Sequence, residues 1–150
     1  MTHPLRICFL SVAYAVAALI VPTTACAVEV SNLAGLEDIY GRYAPAGDCK
    51  RQPQIRVEFS GLTFEVDGKT EKVTNPEYAA SYGAHDYAGI SKWIFPFRIA
   101  NGYAILMTFN ANEQQGALHI DPQDEGWSGG PPLSPMNKAL VAGSPYALCE

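Results

Sequence analysis

IRVEFSGLTFEVDGKTEKV, residues 55–73, is the stretch whose reading decides the fold class. Ile55, Val57 and Phe59 alternate with polar residues, and after Ser60-Gly61 the set Leu62, Phe64 and Val66 does the same. A period of two sends one row of side chains to a core and the other to water, as in a half-buried strand. Asp67-Gly68 marks a tight turn into a third strand, Lys69 to Val73. The segment predicts a meander of three short antiparallel strands.

A second hairpin is expected downstream. Trp93, Phe95, Phe97 and Ile99 fall on one side of a strand, and Tyr103, Ile105, Met107 and Phe109 on one side of the next. A two-residue turn at Asn101-Gly102 would split these rows across opposite faces. It would also put Pro96 at a hydrogen-bonded pair, where its missing N–H is needed. A three-residue loop, Ala100-Asn101-Gly102, removes both conflicts. It pairs Trp93 with Phe109, Phe95 with Met107, Phe97 with Ile105 and Ile99 with Tyr103, and puts Gly102 in the left-handed position of a bulge. Ala117 to Ile120 reads as a further strand, Asp121 to Pro135 as irregular chain, and Met136 to Val141 as one or two helical turns.

Upstream, Ser31 and Asn32 are good helix caps. Leu33, Leu36, Ile39 or Tyr40, and Tyr43 recur at helical spacing until Pro45-Ala46-Gly47 ends the pattern. The whole predicts an α+β domain, a small antiparallel sheet of about five to six strands with a short N-terminal helix. An all-β sandwich or partly open barrel is the alternative.

Residues 1–27 read as a secretory signal peptide. Arg6 and His3 precede the apolar run Ile7 to Val21, Pro22 breaks it, and Ala25-Cys26-Ala27 offers the small residues that a signal peptidase reads. Residues 28–150 then form one globular domain in the periplasm or outside the cell, with no membrane span after processing. Lipid attachment at Cys26 is the competing reading, although the stretch before it lacks the expected leucine. Processing removes Cys8 and Cys26 and leaves Cys49 and Cys149, so an oxidising compartment predicts one Cys49–Cys149 disulfide, worth about 2–4 kcal/mol.

The processed chain carries nine basic and fifteen acidic side chains, a formal charge of −6. That balance disfavours nucleic acid and favours a cationic partner. No cofactor fingerprint or metal-binding cysteine pair occurs.

Three constellations invite chemistry. Gly126-Trp127-Ser128-Gly129-Gly130 spells G-x-S-x-G, but it lacks the preceding strand, the following helix and any later histidine. Ser81, His85 and Asp86 contain the atoms of a triad without its spacing. His119, Asp121, Asp124 and Glu125 form the densest group of acid–base or metal-ligating side chains. They carry the reading of a small hydrolase or metal-dependent enzyme.

The preferred reading is a binding module of the inhibitor or immunity-protein kind, without catalytic activity. Residues 75–89 are rich in Tyr, Ser, Gly and Asn, the composition of adaptable recognition loops. Tyr78, Tyr82, Tyr87 and Trp127 are the expected anchors, with the surrounding acids drawing in a cationic protein. The two loops form one surface if the strand ends beside them lie on one side of the sheet. A third reading places a small apolar ligand between Trp93, Phe95, Phe97 and Met107.

Overall fold

A computed structural model describes residues 27–82, 87–100, 102–123 and 132–149. Among them lie twelve strands and one α-helix. The strands are β1 (Val28–Glu29), β2 (Gly41–Pro45), β3 (Gln54–Glu58), β4 (Gly61–Val66), β5 (Lys69–Val73), β6 (Glu77–Ala79), β7 (Lys92–Phe95), β8 (Arg98–Ile99), β9 (Gly102–Tyr103), β10 (Ile105–Phe109), β11 (Ala117–Pro122) and β12 (Tyr146–Leu148); the helix is α1 (Pro135–Ala142). Ten strands form one antiparallel half-barrel in the order β1-β6-β7-β10-β11-β12-β2-β3-β4-β5, and β8 pairs with β9 in a small ribbon.

This overturns the expected α+β domain with five to six strands. The additional strands β1, β2, β6 and β12 are two to five residues long. β1, β6 and β12 are too short to show a period of two, and the five-residue β2 does not alternate, its last three residues all being buried. Each is defined by the free edge it completes, as β2 is by lying between β12 and β3. The expected N-terminal helix is also absent. Leu33, Leu36 and Ile39 are buried as their spacing required, but only Glu37–Ile39 turns, as a single 3-10 turn. Gly41, at a φ of 143° that suits no helix, begins β2, and Tyr43 reaches the core from a strand.

The meander agrees with its pattern. Ile55 pairs with Phe64 and Leu62 with Val73, which aligns Ile55, Val57, Leu62, Phe64 and Val66 on the buried face. Asp67 and Gly68 both take positive φ, as a twist-matched two-residue hairpin demands. Phe59 departs from its expected row. Glu58 pairs with Gly61, so Phe59 and Ser60 are the turn and Phe59 is 57% exposed.

Curvature brings distant strands together. The rings of Phe64, in β4, and Phe97, just beyond β7, lie 5.2 Å apart although their strands stand six places apart in the sheet. Helix α1 contacts both β4 and β11, so it sits in the concave side and seats the fully buried Leu140 there. Its start is capped by the Ser134 hydroxyl, which accepts from the Asn137 amide at 3.1 Å. Two phenols anchor chain reversals in this core. Tyr43 donates to the Ile39 carbonyl at 2.9 Å and Tyr146 to the Leu140 carbonyl at 2.6 Å. Burial, aided by Asp38, pushes the Tyr43 phenol up to about 12, and burial raises that of Tyr146.

Cys49 and Cys149 form a disulfide across a separation of 100 residues, with Cα atoms 5.7 Å apart. Pairing of Leu148 with Tyr43 sets Cys149 beside Arg42, whose carbonyl accepts its amide at 2.7 Å, and the turn after β2, closed by the Gly47 amide on the Ala44 carbonyl at 2.9 Å, folds Cys49 back to meet it. No helix among the described residues is long and apolar enough to cross a membrane. Of the expected leader, residues 1–27, all but Ala27 lie outside the described residues.

Candidate binding face

The hairpin of β7 and β10 generates this face through a register that differs from the expected one. Met107 pairs with Ile94 and Thr108 with Trp93, and the ribbon continues with Arg98 opposite Tyr103 and Ile99 opposite Gly102. Ile94 and Met107 are fully buried opposite each other, whereas Trp93 and Phe95 point to the convex face. The expected pairs Trp93–Phe109 and Phe95–Met107 do not form. Trp93-Ile94-Phe95 and Ile105-Leu106-Met107 are apolar at both parities, so hydrophobic alternation alone left the register undetermined. The same register separates Trp93 and Phe95 from Phe97 and Met107, which belong to the concave core, so these four residues do not enclose one ligand.

On the convex face a strip of five rings results. Tyr103 lies 4.3 Å from Phe95 between ring centres, Phe95 lies 6.0 Å from Tyr82, Tyr82 lies 6.5 Å from Trp93, and Trp93 lies 4.7 Å from Tyr87. Tyr82 is the outermost, at 46% exposure. Leu106 and Ala79 form the apolar bed beneath.

A carboxylate fixes each end. The buried Glu77 accepts the Tyr103 hydroxyl and the Arg98 guanidinium, the latter at 3.0 Å. At the other end Glu113 accepts the Tyr87 hydroxyl, the Ile90 amide at 2.8 Å and the Ser91 hydroxyl at 3.2 Å. These bonds, led by that from Tyr87, hold the Glu113 carboxyl below its ordinary value. Glu113 is aimed by a segment in which Asn110, Asn112 and Glu113 itself all take left-handed φ. Asn110, 1% exposed, secures that segment: its amide donates to Asp38 and to the Ile90 carbonyl at 3.2 Å each, and its carbonyl accepts the Gly116 amide at 3.0 Å.

Of the anchors expected from sequence, Tyr82 and Tyr87 meet on this strip around Trp93. Tyr78 does not join them. It pairs with Ile94 and packs on the concave core, where burial and then Asp38 raise its phenol. Trp127, the Ser128 motif and the His85-Asp86 pair lie outside the described residues. The chain approaches residue 124 beside the strip, because Gln123 donates to the Tyr82 hydroxyl at 3.1 Å.

His119 and Asp121 share the convex side of β11, opposite Thr108 and Leu106, while Asp124 and Glu125 lie outside the described residues. Among the described residues no three His, Cys, Asp or Glu side chains are grouped to hold a metal ion.

Sequence reasoning missed Trp93, Phe95, Tyr103, Glu77 and Glu113 as members of this face. The first two carried a usable signal, an unbroken apolar triplet too short for a helix. The acids carried none, because their roles arise from partners 21 to 26 residues away. Compared with known proteins, the chain matches no family model, and no curated protein or solved structure matches it significantly.

Proposed function

We propose that this chain is an exported, non-catalytic protein-binding module of the inhibitor or immunity-protein kind, docking through the convex aromatic strip. The observation that carries the reading is the strip itself: Tyr82, 46% exposed, lies outermost beside the half-buried Trp93, against which Tyr87 stands edge-on. Large, stiff aromatic side chains provide contact area at little rotamer cost and dominate binding hot spots. The partner is a protein with a cationic or apolar anchor. The ring faces attract guanidinium and ammonium groups, and Asp121 and the overall negative charge add long-range attraction. The disulfide supports export, since such bonds persist in oxidising compartments.

The test begins with the oxidised protein as immobilised bait against exported proteins of the producing organism, followed by purification of the captured species. A single basic protein is expected. Its affinity for the bait should fall at least ~10-fold on Tyr82→Ala, a loss typical of a hot-spot residue, while circular dichroism stays unchanged. Capture of nothing, or of a protein that binds Tyr82→Ala equally well, overturns the reading.

A further inference from the structure

The other half of the convex face carries a different chemistry. Arg42 of β2 stands directly opposite Arg56 of β3, Arg56 opposite Thr63 of β4, and Thr63 opposite Lys72 of β5. Alternation places all four on the side away from the core, because their neighbours Tyr43, Ile55, Val57, Leu62 and Phe64 are buried. Like charges directly across a strand pair repel and cost stability. Little offsets the repulsion here. Arg56 has one loose partner, Glu58 at 3.9 Å, with both side chains about half exposed. Neither Arg42 nor Lys72 has an ion-pair partner among the described residues. Glu65, an acid on the same face of β4 that borders the same depression as both arginines, accepts the Gln52 amide at 3.0 Å and keeps its charge.

The two guanidinium groups also shape the surface. Arg42 and Arg56 form the shared wall of two shallow depressions, one lined also by Gln54, Thr63, Thr70 and the carboxylate of Glu65, the other by Tyr40, the exposed Phe59 and the carboxylate of Glu58. The result is a row of three cations, interrupted by Thr63 between Arg56 and Lys72 and bordered by hydroxyls, an amide and the carboxylates of Glu58 and Glu65, with an aromatic ring at one end.

We propose that this row binds an extended acidic polysaccharide through the carboxylates of successive sugar residues. A guanidinium fork takes a carboxylate bidentately, which favours this anion over a bulk negative surface. Neighbouring strands are about 4.8 Å apart, a step close to one sugar residue in an extended chain, so Arg42 and Arg56 meet the carboxylates of adjacent residues, and Lys72, two strands beyond Arg56, meets that of a residue two further along. Thr63, Thr70 and Gln54 meet ring hydroxyls, and Phe59 offers its face to the C–H side of a terminal ring. Net charge does not provide this attraction. The chain is negative overall and repels polyanions at long range, so binding depends on the local row.

Polygalacturonate is the probe, with affinity measured by calorimetry at low and at physiological salt for the oxidised protein. Binding is expected to weaken as salt rises. It should fall ~10-fold or more on Arg42→Gln or Arg56→Gln, the loss of one charge-assisted bidentate contact. Lys138→Gln, on the exposed side of α1, should bind as the unaltered protein does. All variants are checked by circular dichroism; because both arginines are exposed, folding is expected to survive. If the unaltered protein ignores polygalacturonate, if the arginine variants bind it equally, or if anionic lipid vesicles are bound instead, the proposal is overturned.

Discussion

The Tyr87 hydroxyl donates a hydrogen bond to the Glu113 carboxylate, 26 residues further along, while its ring stands edge-on to Trp93 with centres 4.7 Å apart. One carboxylate thereby orients the end of the aromatic strip, and it does so only while ionised.

Acid should release that end. The Glu113 carboxyl is held below its ordinary value, so its contribution is complete above the unfolded-chain pKa, about 4.3 for glutamate, and is lost as pH falls through the lower folded value. In a Trp127→Phe background, Trp93 fluorescence should shift in that acidic window, and amide exchange at Ile90 and Ser91 should accelerate. Glu113→Gln should abolish the transition. Identical titrations of the two proteins would show that Glu113 is not the latch.

Gly89→Ala tests the same knot without altering a charge. A Cβ at this position would collide with the Tyr87 hydroxyl and both Glu113 oxygens. Trp93 fluorescence at neutral pH should therefore resemble that of Glu113→Gln, with far-ultraviolet circular dichroism unchanged. Retention of the original Trp93 signal would mean that the loop relaxes without moving Tyr87.

Two turn glycines should differ in their tolerance of alanine. Gly68 takes φ of 73° with open space where a methyl group would stand, so Gly68→Ala should cost only the left-handed penalty, about 1–2 kcal/mol. Gly61 takes φ of 121°, and its Cβ would run into the Val73 backbone carbonyl. Its alanine variant should be the less stable in urea denaturation, by at least ~1 kcal/mol beyond Gly68→Ala, given what sparsely populated backbone conformations cost. Equal midpoints would contradict this geometry.

The hairpin register can be read in solution. Ile94 and Met107 should show cross-strand proton contacts, and Ile94→Ala should cost about 2–5 kcal/mol, as for a fully buried aliphatic side chain. Contacts between Phe95 and Met107 instead would restore the register shifted by one residue.

Reduction should destabilise the protein markedly. Pairing Cys49→Ser with Cys149→Ser should cost about 2–4 kcal/mol, with amide exchange rising first along β12 and β2, whose ends the bridge joins. The melting temperature of the unaltered protein should fall in reductant, and that of the double variant should not respond. A reductant-insensitive unaltered protein would refute the bridge.

Local chemistry was legible wherever a single pattern sufficed. The meander from Gln54 to Val73, its Asp67-Gly68 turn and the strand beginning at Ala117 all follow from alternation and turn residues. The short helix before Gly143 matches its expected ends to within a residue or so. The pairing of Cys49 with Cys149 followed from the expectation that a leader carries away the other two thiols. The candidate face was half legible: Tyr82 and Tyr87 stood out by composition, whereas Tyr78, of the same composition, faces inward because its partner across the sheet is the buried Ile94.

What residue order determined alone is the alternation in 55–73, the turn at Asp67-Gly68 and the pairing of two cysteines, because each depends on neighbours in the chain or on simple elimination. Only the tertiary structure decided that Gly41–Pro45 is a strand, that Trp93 faces outward, and that Glu77 and Glu113 anchor a row of rings. Those outcomes depend on which edge stands free and which face is already full, and the closed-up half-barrel sets both through contacts between residues far apart in the chain.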